Sequence, residues 1–187
     1  MTRIFTLLLV TGLSLNLLNA QDLTPDYSLS KKTFGYVNSS GKKIIPYRYS
    51  NAEPFHDGKA IVSINGRRGI IDTKGVVLLP LEYLDVKYVE GPDPLYFLTD
   101  QATNRGVLNK DLQTIIPCRY QGLTIDNHVF IFSDKTENNK PLYGVLDASG
   151  KTLAGCVNRD LIRFTDGKAI VMTITDGAYR YGVLNNS

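Results

Sequence analysis

Phe34-Gly35-Tyr36-Val37-Asn38-Ser39-Ser40-Gly41-Lys42-Lys43-Ile44-Ile45-Pro46-Tyr47-Arg48-Tyr49 holds the pattern that decides the fold, because its key residues recur along the chain. A glycine after a large residue appears at Gly35, Gly69, Gly106, Gly144 and Gly182, with spacings of 34, 37, 38 and 38 residues. Behind each comes an apolar pair and then Asn38, Asp72, Asn109, Asp147 or Asn185. Three positions further on stand Gly41, Gly75, Leu112 and Gly150. Eleven residues after the anchor glycine come Pro46, Pro80 and Pro117, with Gly155 in the fourth copy. Tyr49, Tyr83 and Tyr120 each follow the proline by three. A fixed period of this length is the mark of a repeat architecture.

A second motif keeps the same register. Phe55-His56-Asp57-Gly58-Lys59-Ala60-Ile61-Val62 matches Phe164-Thr165-Asp166-Gly167-Lys168-Ala169-Ile170-Val171, 109 residues later, the same interval that separates Gly35 from Gly144. The second and third copies blur this motif, around Glu90-Gly91 and Asp126-Asn127.

Each piece has a local meaning. Gly-apolar-apolar-Asx predicts a strand running into a turn, since an Asn or Asp side chain bonds its own backbone two residues on. Lys42 to Pro46 predicts the returning strand, its proline marking an edge or a strand end because it cannot donate to a ladder. Lys59 to Ile64 predicts a third strand, and Asn65-Gly66 is a strong hairpin signal leading into the next anchor glycine. The expected fold is all-β: tandem three-stranded meanders, with no sustained helical period. One such unit cannot bury its own faces, so neighbours must stack. Both a propeller-like ring and an open β-repeat stack satisfy this.

The pattern resembles the WG repeat family, also called KWG repeats. That family runs Trp-Gly-x-Ile-Asp-x-x-Gly-Lys-x-Val-Ile-Pro-x-x-Tyr, then Phe-x-x-Gly-x-Ala-x-Val. Gly35, Asn38, Gly41, Lys42, Pro46, Tyr49, Phe55, Gly58, Ala60 and Val62 fall on it, as do Gly69, Asp72, Gly75, Pro80 and Tyr83, and Gly144, Asp147, Gly150, Lys151, Phe164, Gly167, Ala169 and Val171. The chain departs from the family in having no tryptophan; Phe34, Arg68, Arg105, Tyr143 and Tyr181 hold the signature position. Three keep an aromatic ring, and arginine offers a stackable plane instead. The resemblance implies a β-rich repeat module, mostly bacterial and often exported, with no shared catalytic residues.

Outside the repeats, Met1-Thr2-Arg3, the leucine-rich run to Leu18 and the small residues at Asn19-Ala20 form the three-part pattern of a secretory signal peptide. The expected organisation is a leader over 1–20, a lead-in over 21–32, and a repeat domain over 33–187 with copies starting near 34, 68, 105, 143 and 181. No later segment is apolar and long enough to span a bilayer once the leader is cleaved. The location expected is periplasmic or extracellular.

The function classes narrow from charge and composition. The net charge is +3, from 21 basic and 18 acidic residues, which gives nucleic acid no electrostatic footprint. Cys118 and Cys156 share one repeat position in adjacent copies, and either a disulfide or two buried thiols is open. Two cysteines and two histidines, His56 and His128, lack metal-ligand spacing. Asp57, Asp72, Asp147 and Asp166 recur at turn positions, several of which accept Asn in other copies, which argues against paired catalytic acids. No catalytic residue, metal or cofactor is expected.

The candidate binding surface is Arg48, Tyr49, Tyr83, Arg119 and Tyr120, which would line one side of the array if exposed; aromatic and arginine side chains suit protein or sugar contacts. The repeat-structural set is Gly35, Gly69, Gly106, Gly144, Gly182, Pro46, Pro80, Pro117, Asn38, Asp72, Asn109 and Asp147. The function expected is a non-catalytic module or scaffold of the cell envelope, binding a protein or glycan. The competing readings are an envelope glycan-acting enzyme and a purely structural subunit of a larger assembly.

Overall fold

The computed structural model describes residues 23–126, 128–135, 141–158 and 163–185. The leader and the first two lead-in residues lie outside them, as does Asn127 of the blurred motif. The described residues form seventeen strands and no helix. Among them, therefore, there is no helix long and apolar enough to cross a membrane.

The strands fall into five antiparallel sheets in chain order. The first contains β1 (Thr24–Ser28), β2 (Thr33–Val37) and β3 (Lys43–Tyr49); the second β4 (Asn51–Ala52), β5 (Lys59–Ile64), β6 (Arg67–Asp72) and β7 (Val77–Tyr83). The third contains β8 (Asp85–Val89), β9 (Leu95–Thr99), β10 (Arg105–Asn109) and β11 (Thr114–Tyr120); the fourth β12 (Gly122–Asp126), β13 (Val129–Lys135), β14 (Pro141–Leu146) and β15 (Thr152–Asn158). The fifth pairs β16 (Lys168–Thr175) with β17 (Ala178–Asn185).

The expected unit of three strands is corrected in two ways. The complete sheets have four strands, because the chain after each tyrosine starts a further edge strand: β4, β8 or β12. The sheet also differs in phase from the sequence repeat. Asn65 and Gly66 both take positive φ (52° and 73°), the geometry of a tight hairpin. They therefore join the last strand of one copy to the first strand of the next within a single sheet. Each copy gives two strands to one sheet and two to its neighbour.

The anchor glycine and the proline form one device. In β2–β3, Phe34 pairs with Tyr49 and Tyr36 with Ile45, so the returning strand carries two extra residues there. The same shift recurs in β6–β7, β10–β11 and β14–β15. Pro46, Pro80, Pro117 and Gly155 sit in that bulge, where a ladder donor is not required. The bulge presses backbone onto the anchor. A Cβ on Gly35, Gly69, Gly106 or Gly144 would stand 2.6, 2.5, 2.7 or 2.8 Å from a carbonyl oxygen of the returning strand.

The Asx turns are equally regular. Asn38 Oδ1 accepts from the amides of Ser40 and Lys42, and Asp72 Oδ1 from Lys74 and Val76. Asn109 and Asp147 repeat both bonds. The residue three beyond each, Gly41, Gly75, Leu112 or Gly150, has positive φ.

Burial lies between sheets. Tyr36, Ile45 and Tyr49 of the first meet Ala60, Val62 and Ile71 of the second. The other face of the second offers Ile61 and Ile70 to Val86, Tyr96, Leu98 and Leu108 of the third. The third meets the fourth through Val107, Ile116 and Tyr120 against Phe130, Phe132 and Leu146. Ile131, Val145 and Ala154 then meet Phe164, Ala169 and Val171 on the fifth-sheet side. The three inner sheets thus bury both faces only by having a neighbour on each side. Among the described residues the outer face of the fifth sheet stays exposed at Ile170 and Val183, and no core cluster joins it to the first sheet; the described sheets form an open row.

Candidate functional site

The Tyr–Arg surface expected from sequence does not form. Tyr49 and Tyr120 are 1% and 5% exposed, inside two different inter-sheet cores, and Tyr83 packs half-buried against a third. The reason is position. Each tyrosine ends a returning strand one residue before the chain enters the next sheet, so its ring falls into the joint. The arginines cover these rings. Arg48 lies 5.1 Å over Tyr49 and donates from Nη2 to the Tyr49 hydroxyl (2.8 Å) and to Gly75 O (3.1 Å), tying the first sheet to a turn of the second. Arg119 lies 4.7 Å over Tyr120. Arg48 is thus an inter-sheet clamp, while exposed Arg119 covers the ring of its neighbour in the same strand.

Cys118 and Cys156 are free thiols, both half-buried. Cys118 packs on the core between the second and third sheets, and Cys156 on that between the third and fourth. Equivalent positions of neighbouring sheets are separated by a sheet spacing of roughly 10 Å, beyond the reach of a disulfide. Burial raises both thiols above their ordinary pKa, with a smaller contribution from Asp100 at Cys118.

The acidic residues are turn-makers. Asp57-Gly58 and Asp166-Gly167 have positive φ throughout, closed by reciprocal amide–carbonyl bonds between His56 and Lys59 and between Thr165 and Lys168. Asp147 is held below the usual carboxylate range, first by the Ser149 hydroxyl (2.6 Å) and then by the Lys151 amide.

Chemically mixed surface gathers instead along β8. In the groove between the second and third sheets, about 320 Å³, the Arg68 guanidinium bridges Glu53 (3.1 Å) and Asp85 (3.3 Å) and donates to Val86 O (3.2 Å). His56 stacks on Tyr88 at 4.6 Å with the planes 20° apart, and Tyr88 leans on Tyr96 at 5.3 Å. Burial, then the neighbouring Tyr88 and Asp57, push the Tyr96 hydroxyl up to about 12. A second groove of about 410 Å³ opens between the third and fourth sheets, with half-buried Phe97, exposed Ile125 and the cations Lys87 and Arg105. Asp85 and Lys87 border both grooves. Sequence reasoning missed these residues because β8 has no counterpart with the same side chains in other copies. The one available signal was alternation: Asp85-Val86-Lys87-Tyr88-Val89 sends every second residue outward.

The geometry repeats with the sequence motif, and residues 34–67 match the family model described as WG containing repeat. Over that segment the chain is similar to the WG repeat. The matched segment runs from β2 into the first residue of β6, so the WG repeat as a sequence unit spans the boundary between two sheets. Phe34 and Arg68, at the position of the family's tryptophan, do different work: Phe34 packs on the first inter-sheet core, while Arg68 centres the ion pairs beside β8. A search of the curated proteins found no match to the chain.

Proposed function

We propose that this WG-repeat chain is an exported, non-catalytic binding or scaffold module of the cell envelope that takes a protein or glycan partner along β8. The observation that carries the reading is the pair of grooves sharing Asp85 and Lys87, with stacked His56–Tyr88 at one side and Phe97 with Arg105 at the other. Aromatic planes beside charged, hydrogen-bonding groups suit sugar rings and peptide side chains alike. The non-catalytic part is supported by the recurring aspartates, which are occupied in turns that Asn makes equally well. The export part is supported by the leader pattern of residues 1–20.

The test is affinity capture from the cell-envelope fraction, read by mass spectrometry and glycan analysis. The wild-type chain is expected to enrich one protein or glycan, and Lys87→Glu with Arg105→Glu to lose it while the fold is kept. Capture of nothing above background, or equal capture by the double variant, overturns the assignment of this surface.

A further inference from the structure

The row of sheets has two different ends. Counting from the anchor glycine fixes which residues face the preceding sheet. In β5 and β6 these are Ala60, Val62 and Ile71, in the next sheets Tyr96 and Leu98, then Phe130 and Phe132, then Ala169 and Val171, all buried. In the first sheet the same two positions are Thr24, opposite Val37, and Asp26, opposite Gly35. Asp26 accepts from the Tyr47 hydroxyl, and Lys43 Nζ stands 5.9 Å over the Tyr47 ring. This end is polar, as a capping repeat requires for solubility.

The positions facing the following sheet tell the opposite story. They are the cross-strand pairs Ile61–Ile70 in the second sheet and Ile131–Val145 in the fourth, each 5% and 0% exposed. In the fifth sheet the pair is Ile170–Val183, unchanged in character but 74% and 64% exposed. Tyr181, two residues before Val183 and on the same face by strand alternation, is also 74% exposed. Its counterpart Arg68 reaches across to Val86 of the next sheet. The fifth sheet therefore presents an interface face of the row with no described sheet against it.

We infer that a second copy of this chain covers that face, the two fifth sheets packing face to face about a two-fold axis with Ile170, Tyr181 and Val183 at the centre. Continuity with the four sheet–sheet interfaces argues for a sheet as the occupant. The polar end of the row argues for its identity. Head-to-tail association would set Ile170 and Val183 against Thr24 and the Asp26 carboxylate, burying a charge. Two apolar faces are complementary to each other, which is the condition for an isologous contact. The dimer uses none of the β8 residues and stands or falls independently of the proposed function.

Sedimentation of the purified protein across a concentration series tests it, with circular dichroism reporting the fold. The expected result is a dimer, an at least tenfold weaker dimer for Ile170→Lys and for Val183→Lys, and an unaltered dimer for Thr24→Arg. A wild-type monomer at every concentration overturns the inference. So does a dimer that survives both lysine variants, or an open-ended series of oligomers broken by Thr24→Arg, which would be head-to-tail.

Discussion

In the second sheet Ile61 and Ile70 stand opposite each other on the face toward the third; in the fifth, Ile170 and Val183 hold the same register with nothing described beyond them. Around the anchor glycine the contrast repeats. Gly69 lies under the bulge of β7, whereas a Cβ on Gly182 would meet no atom within 4 Å. The two sheets share a motif and differ in what surrounds it. The same residue is a packing requirement in one place and a surface residue in the other, so the motif's energetic weight comes from its neighbours.

That comparison can be broken most easily with Ile70→Ala. Removing a fully buried side chain costs about 3 kcal/mol, within the usual range for large-to-small core changes. Val183→Ala should cost less than about 1 kcal/mol in dilute solution, as exposed positions do. Urea titrations of both variants decide it, and equal losses would mean that the fifth face is covered within the chain.

A smaller gap is expected between Gly69→Ala and Gly182→Ala. The first forces a Cβ against backbone and should cost about 2 kcal/mol, as overpacking does. That is about 6 °C in melting temperature for a chain of this size. The second should leave the melting temperature within about 1 °C, since nothing is displaced. A large loss at Gly182 would show that a returning strand lies against β17.

The smallest effect separates the fourth turn from the first and third. Asp147 makes the same backbone bonds as Asn38 and Asn109 but can be protonated. Its folded pKa is depressed, so its contribution is present above the unfolded value of about 3.9 and is lost as pH falls through the folded value. Asp147→Asn should flatten that acid limb and leave stability near pH 7 unchanged. Melting curves from pH 7 down to acid would show it; an identical acid limb in the variant would remove Asp147 from the account.

The parts of the fold legible in the sequence were those that local chemistry fixes. The Asx turns at Asn38, Asp72, Asn109 and Asp147, the Asn65-Gly66 hairpin and the proline of the returning strand each depend on a few adjacent residues, and these formed as expected, while the turn expected after Asn185 lies outside the described residues. The illegible parts depend on neighbours. Edge strand β4 is two residues long, β8 and β12 share no motif with it, and nothing in Ser50, Leu84 or Gln121 announces the start of a new sheet. Tyr49 and Tyr120 carry polar hydroxyls and adjoin arginines, which suggested a surface; only the joint between sheets explains their burial. The β8 grooves were invisible for the same reason, since residues such as Glu53 and Asp85 meet across copies through Arg68.

The offset between copy and sheet also bears on how such a chain can lengthen. Because each copy contributes half of two sheets, a duplicated stretch of one period joins its neighbours correctly wherever the break falls, in a turn or within a strand. Every new copy completes the sheet before it and opens the next. A gene carrying this pattern can therefore gain or lose units by slippage at many breakpoints, and repeat number becomes a heritable dimension of the protein that selection can adjust without rebuilding its core.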